Sequence, residues 1–354
     1  MKLPSLIIGD LKANIPIIQG GMGVGISGYN LAQAVANEGG IGVISTVQIG
    51  YDESDFETNS EEANIRALRK HIRKARELSP KGIIGVNIMV AIEQYDEMVK
   101  TCVEEKADII ISGAGLPLNL PKLVQGSSIK IAPIVSSGKA ASIIIRNWLK
   151  KYSKMPDAVV VEGPEAGGHL GFHLKQLQEG KESLEDIVLE VIKVVRGFEN
   201  GNNVPIIAAG GIYTGCDIAK FLKLGANGVQ MGTRFVATEE CDAHINFKNA
   251  YINVKKEDIS VIKSPVGLPG RAIRNKFIKL TEVTDTIVPD RCYNCLKKCN
   301  PAKTPYCISK ALINSVKGNV EDGLVFIGSN GYRVNKIVKV KELIKELVEE
   351  AEKC

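Results

Sequence analysis

Short, almost wholly apolar runs alternate along the chain with longer stretches in which apolar residues recur every three or four positions. The short runs predict strands at Pro16–Ile18, Ile41–Ser45, Ile83–Met89, Ala107–Ser112, Lys130–Val135, Ala158–Val161, Val204–Ala208 and Gly228–Met231. Runs such as Ile-Ile-Gly-Val-Asn-Ile-Met and Pro-Ile-Ile-Ala-Ala offer no polar face, which suits strands covered on both sides. The longer stretches predict helices at Ser60–Arg76, Tyr95–Glu105, Lys139–Lys150, Ser183–Phe198 and Cys216–Leu224, each long enough to carry the chain back across a parallel sheet. Eight βα units in step predict a closed (β/α)8 TIM barrel. An open doubly wound sheet fits less well, because glycine-rich segments follow many strands rather than one switch point.

After Arg234 the rhythm stops. Prolines, charges and cysteines follow, and the expected organisation is a barrel built from residues 1–236 and 321–354, with residues 237–320 as a lid or substrate segment after the eighth strand. The strongly helical Val338–Glu350 is expected to dock back on the barrel.

Composition narrows the function classes. A chain of 354 residues with 44% hydrophobic and 24% charged residues is long enough for a large core. A formal charge of +5, without a basic stripe interleaved with aromatics, gives no support to a nucleic-acid partner. No apolar run is long enough to span a bilayer and Met1–Pro16 lacks a signal-type apolar core, so a cytoplasmic protein with no membrane partner is expected. In that compartment structural disulfides are disfavoured. The partners expected are a small-molecule substrate and a second copy in a homodimer.

Four glycine-rich strand ends, forming three sites, carry the candidate chemistry. Gln19-Gly20-Gly21-Met22-Gly23 follows the first strand, where absent side chains let backbone amides approach a flat ring. Ala208-Ala209-Gly210-Gly211-Ile212 and Gln230-Met231-Gly232-Thr233-Arg234 end the seventh and eighth strands, a frequent phosphate site in barrels. Glu162 to Gly171 follows the sixth, and there His169, after two glycines, is the candidate acid–base group. His71, His173 and His244 read as ordinary structural histidines, and Asn87 puts a polar group where a strand core is otherwise apolar.

In order along the chain, Pro-Ile-Ile-Gln-Gly-Gly-Met (16–22), Gly-Val-Asn-Ile-Met (85–89), Ser-Gly-Ala-Gly (112–115), Glu-Ala-Gly-Gly-His-Leu-Gly (165–171), Ala-Ala-Gly-Gly-Ile (208–212) and Gly-Val-Gln-Met-Gly-Thr-Arg-Phe (228–235) resemble the flavoproteins that comprise nitronate monooxygenases, or 2-nitropropane dioxygenases, and flavin-type enoyl-acyl-carrier-protein reductases. The resemblance runs from Pro16 to about Phe247 and resumes weakly at Gly323–Asn330. It implies FMN, with the phosphate at Gly210, Gly211, Gly232 and Thr233 and the ring near Gly21, Met22 and Asn87. Gly23, Glu162, Gly168 and Met231 complete the implied cofactor contacts, and His169 is the implied catalytic histidine. Gly113-Ala114-Gly115 is more like the reductases, whereas Gly23-Val24-Gly25-Ile26 lacks the aromatic residue reductases tend to place there. The leading expectation is an FMN oxidoreductase of the nitronate monooxygenase type. The alternatives are an NAD(P)H-dependent enoyl-thioester reductase and a redox- or metal-responsive binding protein on a flavin barrel.

The lid is foreign to both relatives in one respect: Cys292, Cys295, Cys299 and Cys307 fall as C-x2-C-x3-C-x7-C. Such spacing suggests a Zn or Fe–S site, with reduced thiols on a helical turn as the competing reading. Cys102, Cys216, Cys241 and Cys354 are scattered and read as core or surface thiols. Arg271 and Arg274 either meet a substrate anion or, as the preferred reading, tie the lid down.

Overall fold

The structure is a computed structural model and describes residues 2–354. Thirteen strands run β1 (Leu6–Ile8), β2 (Leu11–Ala13), β3 (Ile17–Gln19), β4 (Ile41–Ser45), β5 (Ile83–Met89), β6 (Ile109–Gly113), β7 (Lys130–Val135), β8 (Val159–Glu162), β9 (Gly168–His169), β10 (Ile206–Ala209), β11 (Gly228–Met231), β12 (Ile259–Lys263) and β13 (Pro269–Ile273). The helices are α1 (Tyr29–Asn37), α2 (Ser60–Leu78), α3 (Tyr95–Glu104), α4 (Leu120–Leu123), α5 (Gly138–Tyr152), α6 (Leu174–Glu179) and α7 (Leu184–Arg196). They continue with α8 (Gly215–Leu224), α9 (Thr233–Val236), α10 (Ile245–Asn253), α11 (Lys276–Val283), α12 (Ile308–Val316) and α13 (Val340–Lys353).

Eight of these strands close a parallel barrel in the order β10-β11-β3-β4-β5-β6-β7-β8. All eight predicted strands are present, four with the predicted bounds and four with ends shifted by a residue or two. The period of two is explicit in β4, where Ile41 and Val43 join the cluster inside the barrel while Ile44 packs outward against the helices. Gly42 has no side chain because α1 lies directly against it, and a Cβ there would collide with the backbone of Ala32.

The β1–β2 hairpin, which the hydrophobic pattern leaves unassigned, closes the N-terminal end of the barrel. Leu6, Ile8 and Ala13 enter the interior cluster, and Leu6 reaches Gly228 at the start of β11. Outside, α7 shows how a barrel helix is specified: Leu184, Ile187, Val188, Val191, Ile192 and Val195 form one buried stripe. Ser183 accepts the Asp186 amide at its N-terminus, a cap worth about 1 kcal/mol.

The eighth barrel helix is α13, from the end of the chain. It lies between α8 and α1, with the Gly215 amide donating to Glu350 Oε2 at 2.8 Å. Cys216 and Cys354 are joined there as a disulfide, which corrects the expectation of two separate thiols; docking of α13 on α8 brings the last residue onto the first turn of α8.

The lid therefore interrupts the last βα unit. It has its own apolar cluster, including Phe247, Tyr251, Ile278, Tyr306, Leu312, Leu324, Val325 and Ile327. Val334 still packs in the lid cluster, and Val340 begins the return to the barrel cluster. Asp242 ties the lid's start to the barrel by accepting the Gly28 and Leu31 amides of α1 at 2.8 and 3.2 Å. No helix among the described residues is long and apolar enough to cross a membrane.

Candidate active site

The loops after the barrel strands and the inner face of the lid enclose one cavity. Gly20 to Gly23, Ser45, Asn87, Glu162, His169, Gly210, Gly211 and Gln230 to Thr233 line it from the barrel, and Tyr251, Val266, Cys295, Ser309, Leu312 and Phe326 from the lid. All eleven predicted cofactor positions and His169 thus border one space.

No lysine or arginine lines the cavity. Gly210 and Gly211 have φ of +94° and +80°, a left-handed pair that glycine alone adopts without strain. A Cβ on Gly211 would strike the Glu165 carboxylate. Opposite, Gly232 caps the short α9, and Thr233 Oγ1 accepts the Gly328 amide at 3.2 Å. Asn330 Nδ2 donates to Gly211 O at 2.7 Å, and the Ser329 hydroxyl donates to Glu165 Oε2 at 3.2 Å. The segment from Gly328 to Asn330 thus completes this end from the lid side.

Further in, Gly21 rests on Asn87 so closely that any Cβ would overlap its side chain. Asn87 itself donates to Ile111 O at 3.2 Å, which fixes the amide against the neighbouring strand. Two cavity-lining polar atoms, Ser45 Oγ and Gln230 Oε1, are buried without a hydrogen-bond partner. Buried polar groups are nearly always satisfied, so these two mark places where a polar ligand belongs. Gln230 opens one of the strand-end motifs, whereas Ser45 is marked only as a polar residue ending an otherwise apolar barrel strand. Glu162 sits in the same wall, and burial pushes its carboxyl up to about 8, so it is protonated at neutral pH.

His169 lies on β9, which is annexed by the lid hairpin: Gly270 pairs with His169 and Arg271 with Gly168 in a three-stranded sheet. Its Nε2 is 2.8 Å from Ser264 Oγ, and its ring meets Phe326 edge-on at 5.0 Å. Burial lowers its pKa to about 4, so the imidazole is neutral. Arg271 Nη1 donates to the carbonyls of Pro164 and Ala166 at 2.7 and 2.6 Å and so braces the same loop. Arg274 pairs with Glu282 at the surface. Both arginines tie structure together, and Ser264 is a site group that no sequence motif marks.

The expected metal site of the cysteines finds no support in the structure. Among the described residues no three histidine, cysteine, aspartate or glutamate side chains are arranged to hold a metal ion. Cys292, Cys295, Cys299 and Cys307 are free, Cys292 exposed and the other three half-buried, on an irregular loop and at the start of α12. Cys295 alone of the four lines the cavity.

Fold and cavity together define a lidded (β/α)8 barrel with its chemistry on the loops at the strands' C-terminal ends. The family model described as nitronate monooxygenase matches residues 5–350, and the chain belongs to that family. A probable nitronate monooxygenase of Staphylococcus aureus (strain Newman) is 28% identical over 311 residues, covering 79% of this chain and 81% of that protein. FabK from Thermotoga maritima superposes with a TM-score of 0.73 at 28% identity, covering 96% of this chain and 93% of the other. A nitroalkane oxidase from Streptomyces ansochromogenes shares the fold, with a TM-score of 0.73 at 19% identity over 96% of both chains. Membership makes the chain a flavin-dependent oxidoreductase.

Proposed function

We propose that the protein binds FMN and oxidises a small nitroalkane or its nitronate, with His169 as the acid–base group. The unpartnered Ser45 Oγ and Gln230 Oε1, together with the left-handed Gly210-Gly211 pair, support FMN as the occupant, since they offer hydrogen bonds and amides but no cation. In this reading Gly210, Gly211, Gly232 and Thr233 hold the phosphate, and Gly21, Met22 and Asn87 border the ring. When bound, FMN supplies a two-electron acceptor for the substrate.

The observation that carries the substrate reading is the place of His169, on the cavity wall with its Nε2 held 2.8 Å from Ser264 Oγ. Burial keeps the ring neutral, so it is free to accept a proton from the carbon beside a nitro group. Ser264 holds Nε2, which leaves Nδ1 for the substrate. The lid, carrying Val266 and Phe326, excludes water from the ring's surroundings.

A second reading, an NAD(P)H-dependent enoyl-thioester reductase, is favoured by the likeness to FabK and by an apolar wall of Met89, Ile92, Met98, Leu296, Ile308 and Leu312 that fits an acyl chain. Anaerobic mixing separates the two. Bleaching of the flavin by an alkyl nitronate supports the first; bleaching by NAD(P)H followed by reoxidation with a crotonyl thioester replaces it with the second.

A further inference from the structure

Across the barrel mouth from His169 the cavity wall is polar but uncharged. In the strand order β8 and β4 stand four places apart in a ring of eight, so the loops that follow them face each other over the site. His169 comes after β8, and Gln48 stands three residues beyond the end of β4. Gln48, Asn64 and Ser309 line the cavity on this side, among the apolar Val47, Ile308 and Leu312, and all three are buried. No aspartate, glutamate, lysine, arginine or histidine lines the cavity from Thr46 to Gln94 or from Tyr293 to Leu312. The two carboxyl groups that do line it, Glu162 and Glu165, belong to the His169 side.

The polar groups of this wall form one chain whose direction the backbone fixes. The Gly50 amide can only donate, and it meets Asn64 Oδ1 at 2.9 Å, so Asn64 Nδ2 is the donor to Gln48 Oε1 at 2.8 Å. Gln48 Nε2 is then the donor to Ser309 Oγ at 3.0 Å. That nitrogen carries two hydrogens and Ser309 takes one; among the described residues no acceptor meets the other. Gln48 is only 5% exposed, and buried donors are nearly always satisfied, so the second hydrogen requires an acceptor from within the cavity. Gln48 also has φ of +47°, a left-handed backbone that costs a residue with a side chain and persists where a site fixes it.

We propose that Gln48 is a specificity-determining residue: the site takes a nitroalkane, or its nitronate, whose chain runs from His169 across the apolar wall and ends in an uncharged acceptor, an amide or ester carbonyl, held by Gln48. This rests on the reading of the protein as an oxidant of nitro compounds. The wall rejects charged ends of both signs. A carboxylate there is buried with no cation and an ammonium with no carboxylate, and either costs more than one hydrogen bond returns. A plain alkyl end leaves the Gln48 hydrogen unmet. Because the contact is remote from the reacting carbon, it acts on KM rather than on kcat.

The test uses the full-length, flavin-loaded protein with nitroethane, nitrohexane, 6-nitrohexanamide and 6-nitrohexanoate as probes. The amide should exceed nitrohexane in kcat/KM by about 5-fold, the worth of one hydrogen bond, with the difference in KM. It should exceed the carboxylate by about 10-fold or more. Gln48→Met keeps the side chain's length without its hydrogens and should erase the amide's advantage over nitrohexane. Hexanamide, which has no nitro group, should also bind more tightly than hexanoate by calorimetry, a readout that needs no turnover. The comparisons on the unaltered protein stand even where the variant fails to fold. Oxidation of nitroethane with equal or better use of the carboxylate overturns the proposal alone, as does an amide advantage that survives in Gln48→Met. Oxidation of none of the four nitro compounds overturns the nitro-compound reading and this proposal with it.

Discussion

His169 Nε2 lies 2.8 Å from Ser264 Oγ, so a ring presented by the barrel is held in place by a hydroxyl of the lid. Ser264 stands at the turn between β12 and β13, the hairpin that also pairs with β9. Ser264→Ala should therefore lower kcat by about 5- to 10-fold, the worth of one hydrogen bond of about 1 kcal/mol, with KM and flavin content little changed. Ser264→Thr should recover part of the rate. An equal loss in both variants would show that the hydroxyl does not position the ring.

The buried ring sets a pH dependence. Because desolvation lowers His169 to about 4, its base form persists well below the ordinary histidine range, and kcat/KM should hold until the pH approaches that value. His169→Ala should cost about 10²-fold in turnover while leaving flavin bound. An acid limb centred near 6.5, or a histidine resonance titrating there, would contradict the burial argument.

How far the sequence alone reveals the molecule differs between barrel and lid. The eight barrel strands announce themselves because each is buried on both faces, and the strand-end glycines mark the cavity's floor. The phosphate-end partners Gly328, Ser329 and Asn330 and the hydroxyl of Ser264 are not visible as site residues, because they reach the site through tertiary contacts some 95 to 165 residues from their partners. Docking of the chain-terminal helix is expected from its composition, but its place as the eighth barrel helix is fixed by the packing of Gly215 and Glu350, which no periodicity encodes. Four cysteines at short spacing suggest a metal; whether sulphurs converge depends on the loop's path.

Glu162 makes a stability prediction with a definite sign. Burial raises its carboxyl from 4.5 to about 8, so between those values the unfolded chain has released a proton that the folded chain keeps. Stability of the cofactor-free protein should decline as pH rises through that window, and Glu162→Gln should flatten the decline, a difference of at most a few kcal/mol. Melting temperatures of both proteins from pH 5 to pH 8 provide the check; parallel curves would mean that the carboxyl is solvated.

Gly211→Ala separates backbone strain from cofactor loss. At φ +80° an alanine is strained by roughly 1 kcal/mol or more, and its Cβ would also push on Glu165 beside the anion cradle. Flavin affinity should fall by about 10-fold or more. Gly126, at φ +81° with nothing within 4 Å of the place a Cβ would take, supplies the control: Gly126→Ala should show the strain and retain the flavin.

Everything in the reaction scheme requires that the strand-end glycines cradle FMN, and a direct titration measures it. Protein freed of flavin should take up FMN at one equivalent per chain, recovering the yellow absorbance bands, with riboflavin binding far more weakly because it lacks the phosphate. A chain that stays colourless with FMN in excess, or that binds riboflavin equally well, would contradict the account.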